Sequence, residues 1–215
     1  MRAGERRHAP GGRHFRAVLI GGSAGAVKAL DVILAALPQD FALPVLVVQH
    51  LHPSDDGAFA RHMARATRLP VVEPCGGERI EHGHVYTAPA NYHMLLERDA
   101  TIGLSVDERV NWSRPSIDVL FESAAHAWGE AVVAVILSGA NADGAKGMCA
   151  VKAAGGLTIA QDPASAETPV MPQAAIDAGA VDEVLRTDEV GPRLAALGVS
   201  DRRLYVRRRS IRITP

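Results

Sequence analysis

The stretch Ala17–Ala26 sets the strongest constraint on how this chain of 215 residues can fold. Four apolar residues run into a turn of small residues with one hydroxyl, Ser23, at its centre, and a helical apolar pattern follows immediately. We therefore predict a buried strand, a tight turn and a helix, with Ser23 at the helix start. Backbone N–H groups there lack partners within the helix and stabilise negative charge. Three roles are open for Ser23: nucleophile, member of a phosphate-binding loop, or helix cap.

The alternation of apolar runs and helical patterns continues along the chain. After the first run at 17–20, further runs suited to strands buried on both faces lie at 44–50, 131–137 and 157–161. Shorter pieces within 84–106 are typical of antiparallel strands, with 84–88 and 93–97 as an apparent pair. The pattern predicts an α/β fold: a doubly wound, mostly parallel sheet with helices on both faces and a small antiparallel excursion.

Charge is distributed unevenly along the sequence. Eleven of the 23 Lys and Arg residues lie in 1–16 and 202–212, whereas only Glu5 of the 24 Asp and Glu residues lies outside the body between them. The body therefore carries about −11, which argues against a nucleic-acid partner. We divide the chain into a basic tail at 1–16, a catalytic domain at 17–197 and a basic tail at 198–215.

Several classes of protein are disfavoured by what the sequence lacks. Two cysteines, Cys75 and Cys149, do not make a disulfide framework. No apolar segment approaches the ~20 residues of a membrane span, and no signal-peptide pattern follows the basic N-terminus. Neither an HExxH motif nor a cysteine cluster supports a metal site. We expect a cytoplasmic protein without direct membrane insertion, metal or cofactor.

Reactive residue types follow three of the buried strands. Ser23 follows the first strand, His50 ends the second, and Asp143 lies in the loop after the run at 131–137. Because ligand sites of open α/β sheets gather beyond the carboxyl ends of strands, we expect these side chains to meet. A serine hydroxyl needs an imidazole to take its proton and a carboxylate to orient that ring. The placement favours a hydrolytic triad, with Ser23 Oγ about 2.6–3.2 Å from His50, or somewhat farther without substrate.

Other sites that use a small-residue turn fit this sequence less well. The dinucleotide fingerprint G-x-G-x-x-G fails because its third position is Ser23, and the Gly-Lys-Ser/Thr of a P-loop is absent. Residues 21–25 match the G-x-S-x-G nucleophile elbow. However, α/β-hydrolases have the order Ser, Asp, His, whereas this chain has Ser23, His50, Asp143. The elbow therefore belongs to a different fold.

Seven motifs over about residues 17–197 together point to a family. The sequence resembles the catalytic domain of chemotaxis protein-glutamate methylesterases, the CheB family. The motifs are Gly-Gly-Ser23-Ala-Gly, Val-Val-Gln-His50, Gly-His84-Val-Tyr-Thr-Ala-Pro89, Arg114-Pro-Ser-Ile-Asp-Val-Leu-Phe121, Ser138-Gly-Ala-Asn-Ala-Asp143-Gly-Ala-Lys-Gly-Met148, Thr158-Ile-Ala-Gln161 and Met171-Pro-Gln-Ala-Ala-Ile176.

The resemblance implies a function and assigns roles to residues. It implies a triad of Ser23, His50 and Asp143 that hydrolyses glutamyl methyl esters on the cytoplasmic helices of methylated chemoreceptors and releases methanol. Many members also deamidate receptor glutamines. By the same resemblance, backbone N–H groups near Ala24 and Ala140 would hold the oxyanion.

The chain also departs from the family pattern. Ala24 follows the nucleophile where Thr or Ser is frequent, and Ala140 replaces the Met of a frequent Gly-Met-Gly-x-Asp-Gly motif. Familiar members carry a receiver domain before this domain, so we expect no phosphorylation-controlled gating within this chain. Two alternatives stay open: a receptor- or regulator-binding module with a vestigial triad, and a pure glutamine deamidase.

Overall fold

The computed structural model describes residues 14–209, with side chains described as far as Gly198. In chain order its strands are β1 (Ala17–Gly22), β2 (Val45–Gln49), β3 (Val71–Val72), β4 (Val85–Thr87), β5 (His93–Leu96), β6 (Ile102–Ser105), β7 (Val132–Ile136), β8 (Leu157–Gln161) and β9 (Glu183–Leu185). Its α-helices are α1 (Ala26–Ala35), α2 (Ala58–Ala66), α3 (Ile117–Trp128), α4 (Ala145–Ala153), α5 (Val170–Asp177) and α6 (Thr187–Arg209).

Seven of these strands form one parallel sheet in the order β3-β4-β2-β1-β7-β8-β9. β5 and β6 form a separate antiparallel pair. The predicted fold class is therefore confirmed. The pairing of 84–88 with 93–97 is wrong, because Val85–Thr87 is buried within the main sheet between β2 and β3.

The central strand β1 has both faces covered. Val18 and Ile20 contribute to one hydrophobic cluster, while Ala17 and Leu19 contribute to the other. This follows from the two-residue period of a strand. The first cluster includes the buried face of α1, and the second includes that of α3. Burial on both faces explains why β1 is apolar without alternation.

The ends of the packed region differ from the sequence-based boundaries. Phe15 is buried in the core, and the Arg16 guanidinium lies 3.9 Å from the centre of the Trp128 ring, so packing begins before Ala17. α6 continues to Arg209, beyond the predicted end of the catalytic domain at residue 197. The rest of the two predicted tails, 1–13 and 210–215, lies outside the described residues.

The start of α3 and the character of the helices complete the description of the fold. α3 begins at Ile117, and Ser116 is its N-cap. In the described part of the chain, no helix combines the length and the apolar character needed to cross a bilayer.

Candidate active site

The carboxyl ends of β1, β2 and β7 lie side by side and carry the three predicted residues. Gly22 is in register with Gln49, and Gly21 with Ile136. The His50 N–H donates a hydrogen bond to Gly22 O at 3.1 Å, and the Ser23 N–H donates to Ser138 O at 2.9 Å. The main chain around Ser23 is thus joined to both neighbouring strand ends.

Small residues are required in this turn for steric reasons. A Cβ on Gly21 would lie 2.3 Å from Ile117 Cγ2, so the start of α3 could not approach β1. Gly25 has φ +79°, a left-handed conformation that glycine adopts without a steric penalty. The glycines therefore allow both the sharp turn after β1 and the close packing of α3.

Ser23 is not a helix cap. α1 begins at Ala26, its N-cap is Gly25, and no side chain makes a capping hydrogen bond there. The prediction that Ser23 stands at the helix start is wrong by three residues, because the left-handed Gly25 comes between them. The Ser23 side chain is half-buried and remains reachable from solvent.

Asp143 and His50 form a direct contact across 93 residues of sequence. His50 Nε2 lies 2.7 Å from Asp143 Oδ2, with the Asp143 side chain fully buried and that of His50 only 14% exposed. An aspartate before a glycine often serves only to shape a turn. A buried carboxylate 2.7 Å from an imidazole nitrogen indicates a further role, which is to hold the ring of His50.

The Asp143 carboxylate also accepts hydrogen bonds from the segment that leads into α3. The donors are Ser116 Oγ at 2.8 Å, Ile117 N at 2.7 Å, Asn111 Nδ2 at 2.9 Å and Asp118 N at 3.3 Å. Two of these donors are backbone N–H groups in the first turn of a helix. Such groups have no partner within the helix and favour negative charge nearby. Together they fix the carboxylate and keep it ionised.

The pKa values of two neighbouring carboxyl groups are displaced in opposite directions. Burial raises the pKa of Asp143, but hydrogen bonds from His50, Asn111 and the residues at the start of α3 outweigh burial and hold that pKa below its ordinary value. For Asp118, burial raises the pKa, and the nearby negative charge of Asp143 adds to the effect. Asp143 therefore remains the anionic partner of His50.

The second ring nitrogen of His50 contacts a serine that sequence analysis did not identify. Because Nε2 faces a carboxylate acceptor, it carries the proton and Nδ1 is the basic nitrogen. Ser113 Oγ lies 3.3 Å from Nδ1. Within residues 14–198, no hydrogen bond joins Ser23 Oγ to His50, so the predicted nucleophile–base hydrogen bond is not formed in this structure.

Two polar side chains hold the Ser23 turn against its neighbours. Gln49 Nε2 donates to Ser23 O at 2.9 Å and to His50 O at 3.2 Å. Ser138 Oγ donates to Ala24 O at 2.7 Å. The nucleophile candidate and the base candidate are therefore positioned by the same amide group.

Comparison with known proteins identifies the family. The model of the family described as CheB methylesterase matches residues 18–194. This chain belongs to the CheB methylesterase family.

Similar members extend the comparison. A curated relative from Leptospira interrogans is 44% identical over 177 residues, which is 82% of this chain and 92% of the relative. A relative from Nitrobacter winogradskyi, named protein-glutamate methylesterase/protein-glutamine glutaminase, is 40% identical over 86% of this chain and 45% of its own length. The crystal structure of the Thermotoga maritima CheB methylesterase catalytic domain is matched with a TM-score of 0.81 at 33% identity. That match covers 85% of this chain and 98% of the other.

In this CheB-family domain, two backbone N–H groups after the strand ends have no hydrogen-bond partner among the described residues. Ala24 and Ala140 are both exposed and follow β1 and β7 respectively. Within residues 14–198, neither of their N–H groups donates a hydrogen bond, whereas the Ser23 N–H is already paired with Ser138 O. Both alanines therefore keep a free backbone donor at this edge of the sheet.

No metal site accompanies these residues in the part of the chain that is described. Across 14–198, no group of three or more His, Cys, Asp or Glu side chains is arranged to hold an ion. Cys75 and Cys149 are both exposed free thiols.

Sequence reasoning missed the residues that support the site. Ser116, Asp118, Ser138 and Gln49 lie inside motifs that carry the family resemblance, and this was the available signal. Asn111 and Ser113 lie in an irregular polar loop, with no spacing that connects them to Asp143 or His50. Their roles depend on contacts between distant segments.

Proposed function

We propose that this CheB-family protein is a serine esterase that hydrolyses glutamyl methyl esters on the cytoplasmic helices of chemoreceptors and releases methanol. Ser23, His50 and Asp143 are its catalytic residues, and the activity resides in residues 17–197. The observation that carries the proposal is the 2.7 Å contact between His50 and the buried Asp143, formed at the strand ends beside Ser23.

The first half of the reaction forms an acyl-enzyme. His50 Nδ1 accepts the proton as Ser23 Oγ attacks the ester carbonyl, after exchanging its hydrogen bond from Ser113 for one from Ser23. The N–H groups of Ala24 and Ala140 stabilise the oxyanion, each by roughly 2.7–4 kcal/mol. The C–O bond to the methoxy group then breaks, and His50 gives its proton to the methoxy oxygen so that methanol leaves.

The second half regenerates the enzyme. His50 removes a proton from the water molecule that attacks the acyl carbon. The Ser23–acyl bond then breaks, His50 returns the proton to Ser23 Oγ, and a glutamate side chain is released. Throughout, Asp143 keeps Nε2 protonated and Nδ1 basic, and its charge stabilises the imidazolium that forms.

A second activity uses the same groups on a different leaving group. With a glutamine side chain as substrate, the protonated His50 would release ammonia instead of methanol and yield the same glutamate. The printed name of the Nitrobacter winogradskyi relative includes protein-glutamine glutaminase, which favours this candidate.

The proposal is tested by following methanol and ammonia release from a chemoreceptor cytoplasmic fragment, methylated or carrying glutamine. We expect methanol from the methylated fragment, at a rate proportional to enzyme concentration. Ammonia without methanol would instead support the pure deamidase. A receptor- or regulator-binding module with a vestigial triad would release neither product while still binding the fragment.

A further inference from the structure

Residues 110–113 form a hairpin turn of an unusual kind, here called the 110–113 turn. The Val110 N–H donates to Ser113 O at 3.2 Å, and the Ser113 N–H donates to Val110 O at 2.9 Å. The two central residues, Asn111 and Trp112, have φ values of +50° and +66°. Positive φ at both central positions defines a type I′ turn, in which the second central residue is normally glycine.

A tryptophan at that position is held in strain. A bulky side chain rarely adopts a left-handed backbone conformation, and such residues persist where the surrounding structure enforces them, often at functional sites. Nothing in the hydrogen bonding of the turn calls for an indole, because glycine would complete it with less strain.

The polar side chains of the turn point inward to the candidate catalytic residues. Asn111 Nδ2 donates to Asp143 Oδ1 at 2.9 Å and to Asp118 Oδ2 at 2.8 Å. Ser113 Oγ lies 3.3 Å from His50 Nδ1. The residues on either side of Trp112 therefore contact the carboxylate and the base directly.

Trp112 itself points outward. It is 91% exposed, the most exposed of the large apolar side chains in the described part of the chain. Val106 and Val110 on the same loop are 65% and 36% exposed. Scattered exposed valines are ordinary, but a nearly bare tryptophan beside a catalytic site has the properties of an interface anchor.

We propose that Trp112 is a docking residue for the protein substrate and packs against the apolar face of the helix that carries the glutamyl ester. The inference rests on the proposed function, since that function supplies a helical protein substrate. The protein substrate is the favoured partner of Trp112 because any segment that delivers an ester to Ser23 must pass beside the turn that contacts His50. A single anchor there contributes to recognition of the protein, and much less to recognition of a small ester.

The test compares protein and small-molecule substrates with a variant that keeps the turn. Trp112→Gly creates an Asn-Gly pair, the sequence that type I′ turns prefer, so the indole is removed without disturbing Asn111 or Ser113. We expect kcat/KM for a methylated receptor fragment to fall at least about tenfold more than kcat/KM for N-acetylglutamate γ-methyl ester. Trp112→Phe should keep most of the kcat/KM for the receptor fragment that Trp112→Gly loses. Val184→Ala shortens an exposed side chain on β9 at the far edge of the sheet. It should leave unchanged the ratio of kcat/KM for the receptor fragment to kcat/KM for the small ester.

Fluorescence gives a readout that does not depend on turnover. The sequence contains two tryptophans, and Trp128 is only 9% exposed, so acrylamide quenching reports mainly on Trp112. In a Ser23→Ala background, a tryptophan-free methylated fragment should protect the protein from quenching, and Trp112→Gly should abolish that protection. The docking role would be overturned, and the proposed function kept, if the protein releases methanol, Trp112→Gly leaves the ratio of the two kcat/KM values unchanged, and the fragment gives no protection from quenching. Absence of methanol from the unmodified protein would contradict the proposed function, and quenching would then decide the docking role by itself.

Discussion

Replacing Ser23 with alanine should lower the rate of methanol release from a methylated receptor fragment by at least about 10⁴-fold. The reason is that no acyl-enzyme can form without Oγ, while the backbone donors and the substrate contacts remain. The Ser23 side chain makes no capping hydrogen bond to α1, so the fold should be retained. The measurement is a methanol time course at saturating fragment, with circular dichroism to check folding.

The matched control for this loss is another serine whose hydroxyl lies outside the site. Ser54 Oγ is exposed and bonded to His52, so Ser54→Ala should retain the unmodified rate. A Ser23→Ala protein that keeps more than about a tenth of the rate would show that Ser23 is not the nucleophile, and Ser113 would be the next candidate because it contacts His50.

Replacing Asp143 with asparagine should lower kcat by about 10⁴-fold. An asparagine amide facing His50 would favour the tautomer whose proton is on Nδ1, which cannot accept the proton of Ser23. Asp143→Ala should in addition lower the free energy of unfolding by about 3–5 kcal/mol, because it leaves several buried donors without an acceptor. Urea unfolding and steady-state kinetics on the same preparations check both effects. Equal kcat for Asp143→Asn and the unmodified protein would contradict a role in orienting His50.

The pH dependence of stability gives an independent check on Asp143. Its pKa in the folded state is lower than its ordinary value of 3.8. Its contribution to stability is therefore fully present above that ordinary value and is lost as pH falls through the lower, folded value. Asp118, whose pKa is raised, contributes in the opposite sense. Between pH 5 and about pH 2, the unmodified protein should lose more stability than Asp143→Asn does.

The architecture and the contact between His50 and Asp143 could be predicted because both depend on patterns along the sequence. Apolar runs identified the buried strands, and parallel pairing requires their carboxyl ends to lie at one edge. This brought His50 and Asp143 into contact from positions 93 residues apart. The family motifs supported the same residues.

The arrangement around these residues could not be predicted, because it depends on where loops fold back. No periodic pattern in the sequence predicts the hydrogen bond between Ser113 and His50. The left-handed conformation of Trp112 contradicts its intrinsic preference and is imposed by the contacts of its neighbours. The strand at 84–88 was predicted, but its pairing with 93–97 was wrong for a related reason, since its partners β2 and β3 are set by long-range packing.

The most direct test of the catalytic assignment is covalent labelling with a fluorophosphonate followed by mass spectrometry of the tryptic peptides. An activated serine reacts with this reagent, whereas a serine that is not activated does not. We predict a single adduct on Ser23, which persists in Ser113→Ala and disappears when His50 is replaced by alanine. An adduct on Ser113, or no adduct in a protein that releases methanol, would contradict the assignment of Ser23 as the nucleophile.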